Sequence, residues 1–399
     1  MITKRRHRKK RVQRYKSPPS SYSPLVASKE LPEDMPDTIH VPILEPALVN
    51  PYKGHQFWYK GQIHAHSNYD PSWKVCGDDG KQSRRTVMEA YKTKGYKFIA
   101  LTGHNLLTPP PTDPEVEGIV HLFGTESGRG CRHHMVGVGI GAEDLDRDLI
   151  KDTCGCGTIQ DRLDYLHSRG IVVVAHPKVN TDHSSWWFHS GFCGNGWSYD
   201  DVMTSFGYRG IEVFNRTLDS RYIWDELLCA GRRVWGFGVD DCHNAHASNY
   251  VSFNRSWIVV NSDKTEANED VLRQDIIDNI IIGNFYTVLR SPDIEGEEDT
   301  GSSGPIDNGP SLHISIHGQE ISVHTDQSSA VVFVCGEVGS PGLRWKHYRF
   351  AEDSVPAKLT LEGNEDWVRV EIFQFRGKEG LKEDYIAISQ PLFPKVIIT

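Results

Sequence analysis

Gly61-Gln62-Ile63-His64-Ala65-His66-Ser67-Asn68-Tyr69-Asp70 is the stretch on which the reading of the chain turns. Two histidines stand at i and i+2 after the aromatic run Phe57-Trp58-Tyr59. That pattern predicts a strand over residues 58–66. Residues two apart on a strand point to one face, so both imidazoles can reach one metal ion. The chain holds 19 histidines among 399 residues, a surplus that fits metal binding, since neutral imidazole is the commonest metal ligand.

Outward from this stretch, short apolar runs alternate with amphipathic ones. Helices are predicted over 84–96, 159–169, 218–230 and 268–282. Strands are predicted over 98–102, 119–125, 135–140, 171–175, 211–214 and 234–239. Strands alternating with helices indicate βα units, and seven or eight of them fit a barrel better than a small open sheet. From residue 291 the composition changes. Glu295-Gly296-Glu297-Glu298-Asp299 and Gly301-Ser302-Ser303-Gly304-Pro305 read as an acidic linker over 291–310. Beyond it, period-2 runs over 312–316, 320–325, 331–335, 358–361 and 367–373 predict a small antiparallel β domain, 311–399.

Residues 1–50 are basic at Lys4-Arg5-Arg6-His7-Arg8-Lys9-Lys10-Arg11, then rich in Pro and Ser. Such a segment buries too little apolar surface to offset its ordering entropy. It reads as a solvated tail or as a nuclear-localisation or polyanion-binding patch. The expected organisation is therefore a tail over 1–50, a barrel over 51–290, a linker and a closing β domain. The net charge of −9 argues against general nucleic-acid binding, and no apolar run is long enough for a membrane span. The start of the chain does not read as a secretory signal. Eight cysteines without framework spacing predict reduced thiols in an intracellular, cytoplasmic protein. Cys154-Gly155-Cys156-Gly157 lacks a second pair and reads as a turn with free thiols.

The chemistry is carried by the places where His, Asp and Glu fall. In a βα barrel the active site is built at the C-terminal ends of the strands. One predicted strand ends in His64 and His66. Others end in Thr102-Gly103-His104, Gly124-Thr125-Glu126, His176-Pro177 and Asp240-Asp241-Cys242-His243. His133-His134 precedes a strand. A lone histidine at a strand end is more often a capping or core residue. Six such positions in order, all offering nitrogen or carboxylate, are hard to obtain by chance.

Over about residues 57–290, this order resembles that of the polymerase-and-histidinol-phosphatase (PHP) metallohydrolases. The matching elements are His-x-His, a Thr-x-His turn, Gly-x-Glu, His before an apolar strand, His-Pro and Asp-x-His. The C-terminal part, with Asn284-Phe285-Tyr286, Trp367-Val368-Arg369-Val370-Glu371 and residues 385–391, is similar to the carbaryl-hydrolase-type (CehA/McbA) branch. The resemblance implies an α/β fold, a distorted (β/α)7 TIM-like barrel, with two or three divalent ions (Zn, Mn or Fe). It implies that His64, His66, Glu126 and Asp241 hold one ion. Glu126 would bridge to a second, held with His134 and His176. A third would take His104, His243 and an acid or histidine from the end of the first motif. Two departures stand out. Asp70 comes four residues after His66 rather than five and is followed by Pro71. The usual Thr-Asp-His is Thr102-Gly103-His104, which removes an orienting carboxylate.

The expected reaction is hydrolysis by a metal-bound hydroxide, with Glu126, His176, His243 and Lys178 as the catalytic candidates. Lys178, Arg129 and Arg216 are candidates to neutralise a substrate phosphate; ordinary solvated charge is the plain alternative for each. The Trp- and Phe-rich stretch 179–200 reads as a lid or as packing on the barrel rim. Three functions follow: a phosphoesterase for a small phosphorylated substrate, a carbamate, ester or amide hydrolase, and a catalytically weakened binding protein. Association into oligomers is compatible with the closing β domain.

Overall fold

The aromatic run and His64 lie on one continuous strand, β1 (Phe57–Ala65), and His66 follows directly after its last residue. The computed structural model describes Tyr52 and residues 57–69, 78–111, 116–129, 132–141, 158–177, 196–216, 218–245, 253–265, 268–290, 309–325, 328–340, 344–352, 355–375 and 383–393. These fall in the unit Pro46–Thr399. The expectations for residues 1–50, Asp70, Lys178, the cysteine pair at 154 and 156, most of the stretch 179–200 and the linker to residue 308 lie outside the described residues.

After β1 come α1 (Arg84–Thr93), β2 (Phe98–Leu101), β3 (Val120–Arg129), β4 (Arg132–Val138), α2 (Ile159–His167) and β5 (Ile171–Val174). Next are α3 (Tyr199–Thr204), β6 (Gly210–Asn215), β7 (Leu218–Asp219), α4 (Arg221–Cys229) and β8 (Trp235–Val239). Then follow β9 (Ser256–Ser262), α5 (Glu269–Ile282) and β10 (Phe285–Arg290). The C-terminal strands are β11 (His313–His317), β12 (Glu320–His324), β13 (Ser329–Gly336), β14 (Arg344–Ala351), β15 (Ala357–Thr360), β16 (Trp367–Phe375) and β17 (Glu383–Ser389).

Local chemistry fixes several of these ends. Thr158 caps α2 and exchanges hydrogen bonds with Asp161 in a capping box, a cap worth about 1 kcal/mol. Gly283 closes α5 in the left-handed conformation, φ 80°, which an L side chain resists. The predicted helix 218–230 starts later, because Leu218–Asp219 turns back to pair with β6.

The sheet is mixed. β1, β2 and β3 run parallel, as do β5, β6 and β8. Strict βα alternation breaks at β4, which is antiparallel to both β3 and β5. The His133-His134 pair lies inside β4 rather than before it. β8 comes back to β1: Asp241 N donates to His64 O at 3.0 Å and His66 N to Cys242 O at 2.9 Å. The buried row Ile63, Phe98, Ala100, Val120, Leu122, Val173, Phe237 and Val239 packs inside these strands.

On its other side β1 pairs antiparallel with β9, β9 with β10, and β10 with β17. β16, β13 and β14 extend the same sheet from β17. β11, β12 and β15 form a separate three-stranded sheet. Arg369 on β16 is buried and pairs with Asp225 on α4 and with Glu371, which also takes Arg221 at 2.8 Å. The three described cysteines, Cys229, Cys242 and Cys335, are buried. No described helix is long and apolar enough to cross a membrane.

Candidate metal centre

Six strands bring their polar residues together. His64 and His66 come from β1, His104 from just beyond β2, Glu126 from β3, His134 from β4, His176 from beyond β5, and Asp241 and His243 from beyond β8. The backbone is strained where it delivers them. Of the six described non-glycine residues with positive φ, five are Asn105, His133, His176, Arg216 and Asp241, at or beside this cluster. Such conformations cost about 1–3 kcal/mol each and persist where surrounding contacts impose them.

Glu126 is the hub. It is buried, and its two oxygens face different partners. Oε1 lies 2.7 Å from His134 Nδ1 and 3.1 Å from His176 Nε2. Oε2 lies 3.4 Å from His64 Nε2, 3.2 Å from His66 Nε2 and 3.1 Å from His104 Nδ1. Despite these neighbours, Oε2 makes no hydrogen bond among the described residues. His64 Nε2 and His66 Nε2 are 3.3 Å apart, and Asp241 Oδ1 lies 3.5 Å and 3.3 Å from them. Ligands bound to one cation at 2.0–2.2 Å stand about 2.8–3.6 Å from each other at ordinary bond angles. The separations His64–His66, His64–Glu126, His66–Glu126, His64–Asp241 and His66–Asp241 all fall in that range. The donor set therefore fits a divalent cation.

The electrostatics agree. Burial opposes ionisation of Glu126, but His134, His64 and His104 outweigh it and hold the carboxyl well below its usual range. Burial likewise opposes Asp241, and Arg216, His64 and His66 overcome it. Burial works against the His64 imidazolium, yet Glu126, Glu212 and Asp241 carry it up to about 10. Crowded carboxylates thus hold cationic protons where a metal would sit.

Outer carboxylates aim the rings. Glu212 Oε1 lies 2.6 Å from His64 Nδ1, and its Oε2 accepts from His176 N at 2.5 Å and Asn215 Nδ2 at 2.8 Å. Asp78 Oδ1 lies 3.0 Å from His66 Nδ1. The other nitrogen of each ring is left facing Glu126, as a ligand requires. Asp240 turns away; it accepts from the backbone of Asn254, Arg255 and Ser256 and from the Tyr91 hydroxyl. Burial raises its pKa to about 6 against those hydrogen bonds.

A further group joins His66, Asp79, His104 and His243. Asp79 Oδ1 is 3.0 Å from His243 Nε2 and 3.6 Å from His104 Nε2. Partial burial opposes its ionisation, but these two histidines keep it below the usual range. Asp79, not foreseen from the sequence, stands where an acid from the end of the first motif was expected. Asp78, Asp79 and Glu212 were all missed. An acid inside the apolar run Ile211-Glu212-Val213-Phe214, and paired acids before Gly80, were the available signals.

Arg216, expected to meet substrate, donates from Nη2 to Asp241 Oδ2 and to Asp241 O, both at 2.8 Å, and is 37% exposed. Arg129 ends β3, and its side chain lies outside the described set. Of the adjacent histidines, His134 faces Glu126 whereas His133 pairs with Asp201 at 3.2 Å.

No family model matches the chain, and no curated protein matches it. Among solved structures it is similar to a two-domain protein from Bacteroides vulgatus ATCC 8482, described as containing a predicted PHP-like metal-dependent phosphoesterase. The identity is 14%, the match covers 88% of this chain and 97% of that one, and the TM-score is 0.41. It is also similar to a protein from Bifidobacterium adolescentis ATCC 15703 described as a candidate metal-dependent phosphoesterase. There the identity is 16%, over 54% of this chain and 94% of that one, with a TM-score of 0.31.

Proposed function

We propose that the chain is a metal-dependent hydrolase of phosphoric esters with a distorted PHP-type barrel, acting on a small phosphorylated molecule. The observation that carries this reading is Glu126, one buried carboxylate whose two oxygens face two separate sets of imidazoles. A bridging carboxylate between two cations partly cancels their repulsion. On this reading His64, His66, Glu126 and Asp241 hold one ion, Glu126, His134 and His176 a second, and Asp79, His104 and His243 a third. Such cations acidify bound water and polarise a phosphoryl oxygen.

Charge favours the same reading. Asp78, Asp79, Glu126, Glu212 and Asp241 set five carboxylates around the centre, with Arg216 the guanidinium contacting it among the described residues. Unneutralised, these acids would repel a phosphate; two or three divalent cations invert the sign. Arg216 holds Asp241 with Nη2 and reaches solvent at the rim, where it can meet an anionic substrate. Where not fully engaged as ligands, His176 and His243, each partly exposed, can pass a proton to a leaving group.

Metal analysis with assays on p-nitrophenyl phosphate, bis(p-nitrophenyl) phosphate and a naphthyl carbamate tests the proposal. Turnover of either phosphate ester with Mn²⁺ or Zn²⁺ is expected. Turnover of the carbamate alone would make the protein a carbamate hydrolase, and no metal uptake with no turnover would make it a binding protein.

A further inference from the structure

The turn Asp78-Asp79-Gly80 carries two adjacent acids with opposite surroundings. Asp79 is 62% exposed and reaches His243 and His104. Asp78 is 3% exposed, and its carboxylate is spent on one neighbouring segment. Oδ1 faces His66 Nδ1 at 3.0 Å, while Oδ2 accepts from Ser67 N at 2.8 Å and from Ser67 Oγ at 2.7 Å. A glycine makes room for this approach. A Cβ on Gly80 would stand 2.6 Å from the Ser67 backbone, so the turn could not press against the His66-Ser67 segment with any other residue there.

We infer that Asp78 is the positioning residue of His66: it holds the proton on Nδ1 and aims Nε2 at Glu126 and Asp241. The inference rests on the metal-centre reading and deepens it. The chemistry of the three partners explains why the residue is an acid. The Ser67 amide can only donate, and the Ser67 hydroxyl, which accepts from Tyr69 N at 3.2 Å, donates to Asp78. A His66 ring that ligates through Nε2 carries its hydrogen on Nδ1 and donates as well. Three donors require an acceptor on each arm, which a carboxylate has and an amide lacks.

Asp78→Asn is therefore the discriminating variant, since it keeps the shape. Its amide has one acceptor. If its oxygen faces Ser67, its N–H group donates to His66 Nδ1 and drives the ring proton onto Nε2, the nitrogen needed for the metal. If the oxygen faces His66, the N–H group opposes the Ser67 amide. Either arrangement weakens metal binding, and loss of an outer partner typically costs about 10–100-fold in metal affinity.

The test is Zn²⁺ binding by chelator competition and the visible spectrum of the Co²⁺-loaded protein, in parent and Asp78→Asn, with circular dichroism confirming the fold of each. The expected result is a Zn²⁺ affinity lowered about 10–100-fold with a displaced Co²⁺ band. Unchanged affinity together with an unchanged band would overturn the inference while leaving the metal reading standing. If the parent bound neither ion, the metal reading itself would fall, and this inference with it. A measurement on the parent alone guards against a variant that does not fold. In the Zn²⁺-loaded, ¹⁵N-histidine-labelled protein, His66 is expected to show its N–H on Nδ1, and an N–H on Nε2 would overturn the assignment.

Discussion

Gly128 lies directly against the ring of His134: a Cβ on Gly128 would stand 2.2 Å from His134 Cδ2. The glycine is held there by reciprocal hydrogen bonds with the Asn105 side chain, at 2.9 Å and 2.8 Å. No heavy atom fits at that separation, so Gly128→Ala must move the ring away from Glu126. Turnover is expected to fall about 100-fold, as misplacement near 1 Å commonly does, with one metal fewer per chain by elemental analysis. Retained stoichiometry would show that His134 is not a ligand.

Glu126→Gln should be the most damaging single change to the centre. It keeps the size of the side chain, replaces one acceptor oxygen with an N–H donor and removes the charge shared by five histidines. Activity should fall by at least about 1000-fold, the order seen when a group central to transition-state electrostatics is lost. Turnover near the parent's would refute the proposed ligand set.

Metal uptake should be strongly pH-dependent. In the metal-free protein, the His64 pKa sits near 10 because neighbouring carboxylates outweigh burial. Below that pH the ring is protonated, and a cation must displace the proton to bind. Each unit of falling pH should therefore weaken Zn²⁺ binding by about tenfold for every proton displaced. Chelator competition between pH 6 and 8 reads the slope, and a flat profile would contradict it.

His121 makes a separate prediction about stability. The ring is buried, with neither nitrogen hydrogen-bonded among the described residues, and burial followed by the charges of Arg273 and Arg84 pushes its pKa down to about 3. Unfolded, it would titrate near 6.5. Between those values the unfolded chain binds the extra proton. Its contribution is thus complete above about pH 6.5 and is lost as pH falls towards 3. From pH 7 to 4.5 the loss is on the order of 3 kcal/mol. Urea denaturation of the metal-free protein should show His121→Leu losing correspondingly less than the parent over that interval.

Much of the cluster was legible in the sequence because its residues sit on strands or just beyond them. The i, i+2 spacing of His64 and His66 predicts a strand, and Phe57–Ala65 is one, ending one residue before His66. His176 and Asp241 follow apolar runs whose pattern marks where β5 and β8 end, whereas β3 runs on past Glu126 to Arg129. What was not legible depends on contacts distant in sequence. Asp78 and Asp79 lie 12 and 13 residues beyond His66, and only the return of the turn onto Ser67 brings them to the rings. Glu212 was masked by its apolar neighbours. The antiparallel hairpin of β3 and β4 was missed because local periodicity does not report strand direction. β9 and β10 were missed although both are continuous and buried.

The pairing of β1 also has a consequence for the order in which the chain can fold. Every described residue of the centre has been synthesised by His243. Yet the strand bearing His64 and His66 waits for β9 at Ser256–Ser262, β9 for β10, and β10 for β17 at Glu383–Ser389. Such distant pairings are slow to form and leave strand edges open in the interim. A chain ending at residue 290 would present the unpaired edge of β10 to other molecules, and it is expected to partition into the insoluble fraction on expression. A soluble, metal-binding fragment of that length would show instead that the centre matures without its last strands.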